Sequence, residues 1–236
     1  MGTIKIGATP ANRLEAGASI LAAARMTDTH LVKDRLAAFE RAQRAYGEAQ
    51  RKVDAVEKRL AAAQQQVGEC DAAQDEAVEA LARALVGDGH PRGTPFAAFG
   101  VPSPAAIKRL PLAAEAKTLS ALIAALQRNK TVSKPTLQTA RDVEKAVRTV
   151  ARAQAPLDKL TAALHDARRT RDAIGANWDA ALGAFKRGAR AAADDGAPQL
   201  YTGLFERPTR TSARNGKRQP TPAPTPAPAA EPAKSA

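Results

Sequence analysis

Three histidines and a single cysteine are the side chains of this chain best suited to hold a metal or attack an electrophile, and their spacing supports neither role. His30, His90 and His165 stand 60 and 75 residues apart. None has a second His or Cys at the short separation a zinc site uses. There is no His-Glu-x-x-His run and no Glu-x-x-His pair, which removes the zinc-protease and di-iron carboxylate patterns. No glycine-rich phosphate loop occurs, and the serines lack a neighbouring base. Cys70 falls on an apolar helical seam, where a small buried hydrophobe is the expected role, and one cysteine excludes an intramolecular disulfide. We therefore expect no enzyme activity, no cofactor, no metal and no small-molecule substrate.

Phosphate binding is the remaining chemistry to weigh. The 236-residue chain carries a formal net charge of +12. Residues 1–89 hold 12 basic and 13 acidic side chains, whereas residues 90–134 hold 7 and 1, residues 135–196 hold 11 and 8, and residues 197–236 hold 6 and 2. Arg168, Arg169, Lys186, Arg187 and Arg190 cluster late in the second half, and Arg214, Lys217 and Arg218 follow near the C-terminus. Arginine suits phosphate through its planar fork of donors. These eight residues are the candidates for contact with nucleic acid, although Asp166, Asp172 and Asp179 interrupt the row and no aromatic residues alternate with it to stack bases.

What must position these groups is helical. Two stretches keep a three–four apolar spacing without a gap. The first runs Phe39, Ala42, Tyr46, Ala49, Val53, Val56, Leu60, Ala63, Val67, Cys70, Gln74, Ala77, Leu81, Ala84. The second runs Val143, Ala146, Val150, Ala153, Leu157, Leu160, Leu164, Ala167, Arg171, Ile174, Trp178, Ala181, Phe185, Gly188. A mean step of 3.5 keeps one side of a helix against a partner helix. Arg171 on that seam reads as a register-setting side chain that faces a seam acid or Gln74. Aromatics make up only 3% of the chain, which argues against a β-sandwich or barrel.

Punctuation divides the chain. Thr9-Pro10 opens a short helix to about Met26, and Thr27 or Asp28 caps a long one that meets no strong stop before Gly87-Asp88-Gly89. Gly47 and Gly68 are its weak points, Gly68 being a place for a hairpin. A Pro/Gly loop fills 90–102. Ser103-Pro104 opens a helix that Pro111 interrupts and that continues to Arg128; a turn over 129–134 leads to a second long helix ending at Asp194-Asp195-Gly196, with Pro156 as an internal kink. A shift of 104 residues aligns one seam with the other and matches Glu40 with Glu144, Arg44 with Arg148 and Leu60 with Leu164, the pattern of an internal duplication.

The expected fold is all-α: an elongated antiparallel coiled-coil or helical bundle of two short-helix–long-helix units, 1–89 and 103–196. A basic segment with an apolar cluster follows at 197–218, then a disordered Pro/Ala-rich tail at 219–236. Each seam needs a partner, which the long helices supply to each other or across a dimer. Leu200, Tyr201, Leu204 and Phe205 either cap the bundle or form a partner-docking motif. The expected function is a non-catalytic scaffold or adaptor that self-associates or binds a protein partner through its seams and that docking segment. The alternative is a nucleoid-type nucleic-acid-associated protein using the basic second helix and tail. No signal peptide and no membrane span are expected, so the expected location is cytoplasmic.

Overall fold

The computed structural model describes residues 2–3 and 9–207. The Pro/Ala-rich tail, and with it the expectation of disorder there, lies outside these residues. Seven helices account for nearly all of the described chain. In order they are α1 (Pro10–Arg25), α2 (Lys33–Gly87), α3 (Pro104–Ile107), α4 (Leu112–Arg128), α5 (Lys134–Gln154), α6 (Leu157–Asp194) and α7 (Pro198–Phe205). A two-residue antiparallel ladder, β1 (Gly2–Thr3) with β2 (Glu206–Arg207), brings the two ends of the described chain together.

Local chemistry sets the boundaries. Thr9 accepts a bond from the Asn12 amide at 3.3 Å and Pro10 supplies the first helical residue of α1. Thr27 and Asp28 do not cap α2, a correction to the sequence expectation. Thr27 Oγ1 donates back to the Ala23 carbonyl, and Asp28 Oδ1 accepts from the His30 amide at the entry to a 3₁₀ turn over His30–Val32. The helix α2 then runs 55 residues, about 82 Å, through both Gly47 and Gly68. No hairpin forms at Gly68 because its Gln and Glu neighbours favour helix and nothing nearby offers a turn.

Both long stretches stop in the same way. Gly89 (φ 93°) and Gly196 (φ 110°) take the left-handed conformation that an L side chain resists. Just beyond them, the His90 amide donates to the Leu85 carbonyl and the Ala197 amide to the Ala192 carbonyl, each at 3.0 Å. Pro156 divides the second stretch into α5 and α6. Ala155 and Pro156 both keep right-handed helical dihedrals, and the ladder resumes with Leu160 N donating to Pro156 O at 3.0 Å. The proline removes a donor without redirecting the chain into a loop.

The long helices pack antiparallel: α6 lies along the first half of α2 and α5 along the second. Contacts far apart along the rod share one register, since Gln43 meets Trp178, Gln50 meets Arg171 and Asp88 meets Ser133, each pair of residue numbers adding to 221. No residue of either seam is exposed. The seams therefore serve each other within one chain.

Two cores close the ends. Lobe A gathers α1, α7 and the facing ends of α2 and α6 around Ile20, Phe39, Tyr46, Trp178, Phe185 and Phe205. Lobe B gathers α3, α4, the Phe96 loop and the facing ends of α2 and α5 around Val78, Leu81, Leu85, Ile107, Leu122 and Val143. Between them α2 and α6 form a two-helix stalk. The 104-residue shift carries α1 to 114–129, over α4, and α2 to 137–191, over α5 and α6.

Val53 is 1% exposed where lobe A gives way to the stalk. We expect Val53→Asp to destabilise the chain by about 3 kcal/mol or more, since it buries an unpaired carboxylate. Arg51→Ala, on the exposed face, should change stability by less than about 0.5 kcal/mol. Equal shifts in denaturant midpoint would place the seam on the wrong face.

Candidate functional site

The residues singled out by sequence fall into three environments. The docking candidates are in the core. Leu200, Leu204 and Phe205 are 3%, 2% and 1% exposed, and Tyr201 is half-buried. Phe205 meets Phe185 edge-on at 5.4 Å and Tyr201 at 5.3 Å. An accessible docking motif here is thus corrected to a bundle cap, because Pro198 starts a short helix whose apolar face has the open end of lobe A to cover.

The basic candidates do not form one track. Arg168 pairs with Glu57 across the helices at 2.7 Å, and Arg169 pairs with Asp166 on its own helix. Lys186 lies over the Phe205 ring at 5.5 Å and Arg190 over the Tyr201 ring at 5.7 Å, each a cation–π contact with α7. Arg187 is exposed between them. The 18 residues from Arg168 to Lys186 set the two groups about 27 Å apart along α6. Arg214, Lys217 and Arg218 lie outside the described residues. Arg171 faces Gln50 at 3.3 Å and Asp172 at 2.7 Å, not Gln74, because the antiparallel register carries Gln74 to lobe B instead.

Two polar devices were not singled out as sites in the sequence. In lobe A, Trp178 Nε1 donates to Gln43 Oε1 at 2.6 Å, and Gln43 Nε2 donates to the Leu14 carbonyl at 3.1 Å. One side chain thereby ties α1, α2 and α6 together. It fits because Gly17 has no side chain: a Cβ there would stand 2.0 Å from Gln43 Oε1. In lobe B, Glu115 and Gln74 are 2% and 1% exposed, and an Oε1 atom of each finds no hydrogen-bond partner. Burial pushes the Glu115 carboxyl above its ordinary value, Asp71 and Asp75 push the same way, and Gln74 and Lys108 only partly oppose them. The signal for this device was a Gln on the seam and a Glu four residues after Pro111.

The histidines stay apart. His30 meets Asp28 at 3.1 Å, His90 packs on Phe99 at 5.3 Å, and His165 is exposed. Among the described residues no group of three or more His, Cys, Asp or Glu is placed to hold a metal ion. Cys70 is buried, with Gln66 Nε2 donating to its sulfur at 3.4 Å. No described helix is long and apolar enough to cross a membrane. No family model, curated protein or solved structure matches this chain.

Removing the tie in lobe A should be costly. Gln43→Ala leaves the buried Trp178 N–H unpaired, and we expect a loss of about 2 kcal/mol, read by chemical denaturation. The buried acid in lobe B has a pH signature. A raised carboxyl contributes its stability in full below the ordinary Glu value near 4.5, and that contribution is lost as pH rises through the folded-state value. The melting temperature should therefore fall as pH rises above 4.5 and then level off, with Asp75, also raised by burial, adding to the fall. Glu115→Gln should flatten the profile; an unchanged slope would show that Glu115 is ionised in the fold.

Proposed function

We propose that this chain is a non-catalytic helical scaffold, a spacer that holds two packed lobes at a set separation and presents their outer surfaces to partners in the cytoplasm. The closure of the two seams on each other carries this reading. A chain that satisfies its own heptads in one register is a self-contained rod, and its apolar seams are spent on its own fold. The adaptor reading based on seams open to a partner, or on a docking motif in α7, loses its basis, since both are buried internally. Support also comes from the side chains that join the two long strands. Gln50–Arg171 and Glu57–Arg168 are bonds that fix register and do no chemistry.

The test is to change the length and leave the seam in phase. Residues 57–63 of α2 face residues 158–164 of α6 in the shared register, so deleting both segments removes one heptad from each strand. The expected outcome is a folded protein whose maximum dimension in small-angle scattering is shorter by about 10 Å, from a parent longer than about 80 Å. A parent with a radius of gyration near 17 Å, the globular value for about 200 residues, would overturn the spacer reading.

A further inference from the structure

The fold concentrates its charge at one end of the rod. From Arg83 to Arg141 there are nine basic side chains against two acidic ones, a net of +7. Lobe A (9–46 and 178–206) holds nine basic and eight acidic, a net of +1, and the intervening residues 47–82 and 142–177 hold eleven and thirteen, a net of −2. The excess of the described chain is therefore held by the outer end of lobe B, beyond the carboxylates of Asp75, Glu76, Glu79 and Asp142 that border it. Eight of its nine cations are exposed, and among the described residues only the half-buried Lys108 is in an ion pair, with Glu79 at 3.0 Å.

Neither acid in this span offsets the surface field fully. Glu115 is enclosed in the core, and Asp88 is half-buried and accepts from the Ser133 amide at 3.1 Å. The next carboxylate down α2 is Glu79, whose charge is taken up by Lys108 at 3.0 Å. Part of the charge serves the helices: Arg128 Nε donates to the Ala124 carbonyl at the end of α4. Lys130 and Lys134 do the opposite. They flank the start of α5, where the macrodipole disfavours cations and the first turn holds no acid. Arg83 and Arg92 line one shallow hollow together with Glu79.

We propose that the lobe B end of the rod is a nucleic-acid interface that grips the phosphate backbone of a duplex without reading its bases. Charge complementarity selects the occupant. A lipid surface calls for exposed apolar residues among the cations, but the large exposed hydrophobics among the described residues, Met26 and Leu31, are both in lobe A. Single strands call for open aromatic faces, whereas Phe96 is fully buried and Phe99 is half-buried against His90. A protein partner calls for an apolar anchor pocket at the centre of the patch. Exposed, unpaired Lys and Arg at the end of a rod fit phosphates. This assignment rests on charge placement and is independent of the spacer reading.

The experiment is fluorescence anisotropy of a short random-sequence duplex titrated with the full chain, at salt from about 50 to about 200 mM. Engagement of about five phosphates gives a log–log salt slope near −4.5 and roughly a 500-fold loss of affinity over that range. The variant R128Q/K130Q/K134Q should make the slope shallower by about 2.7, and R92Q/R109Q by about 1.8, while both unfold cooperatively and remain folded under the assay conditions. The control K186Q/R187Q/R190Q should leave the slope unchanged. Absence of duplex binding at about 50 mM salt overturns the proposal. So does an unchanged slope in both lobe B variants, or retention on phosphatidylserine vesicles without retention on the duplex.

Discussion

The antiparallel register between α2 and the α5–α6 strand is the constraint on which the rest of the molecule depends. A seam of 3.5-residue period can slide by a heptad at little apolar cost, so apolar residues alone do not choose one alignment. Polar partners do. Gln43 with Trp178 fixes lobe A, Gln50 with Arg171 fixes the adjoining stretch, and Asp88 with Ser133 fixes the far end. A slip of seven residues one way would put Leu36 opposite Trp178 and strand its N–H. The other way it would put Gln50 opposite Trp178 and Glu57 opposite Arg171, and there the loss is the Asp88–Ser133 bond and the packing of Phe39 on Trp178 and Phe185. The closed ends of the rod thus select the register that the apolar seam merely permits.

Pro156 tests how strongly this register is held. It lies opposite residue 65, in the stretch where α2 is covered by one helix only, and it removes a rung from the ladder. The sum of facing residue numbers is the same on both sides of it, so the break neither adds nor removes a residue from the seam. A proline here meets the fewest neighbours, since Ala155 and Pro156 are both exposed. The same substitution inside either lobe would displace helices packed on two sides.

Much of this was legible in the sequence because heptad spacing, Thr9-Pro10 and Ser103-Pro104 as helix starts, and Gly89 and Gly196 as stops are local signals with local causes. The partners of those signals were not. Leu200, Leu204 and Phe205 read equally as a cap or as a docking motif, because apolar spacing cannot say whether the surface it needs belongs to the same chain. Arg171 was assigned to Gln74 or an acid because both were polar on a seam, and only the direction and offset of the pairing decide between Gln74 and Gln50. The excess charge in residues 90–134 was visible as a number, but a number does not say on which surface the side chains gather. That stretch forms α3 and α4 and completes a core, and folding converts a composition into a surface.

The two lobes are built by one plan and held with different materials. Six of the eight aromatics sit in lobe A, where Trp178 and Gln43 complete a hydrogen-bonded tie and α7 seals the end. Lobe B relies on aliphatic packing and carries the buried Glu115–Gln74 pair with unsatisfied oxygens. Lobe A has its own unpaired buried atoms, Arg13 Nε and Tyr46 Oη, so each lobe holds two groups that lower the free energy of local opening. What differs is the surface: lobe B is the end that carries the unpaired cations, and repulsion among them is relieved when an anion binds. Binding of a polyanion at this end would stabilise lobe B, by mass action, more than lobe A.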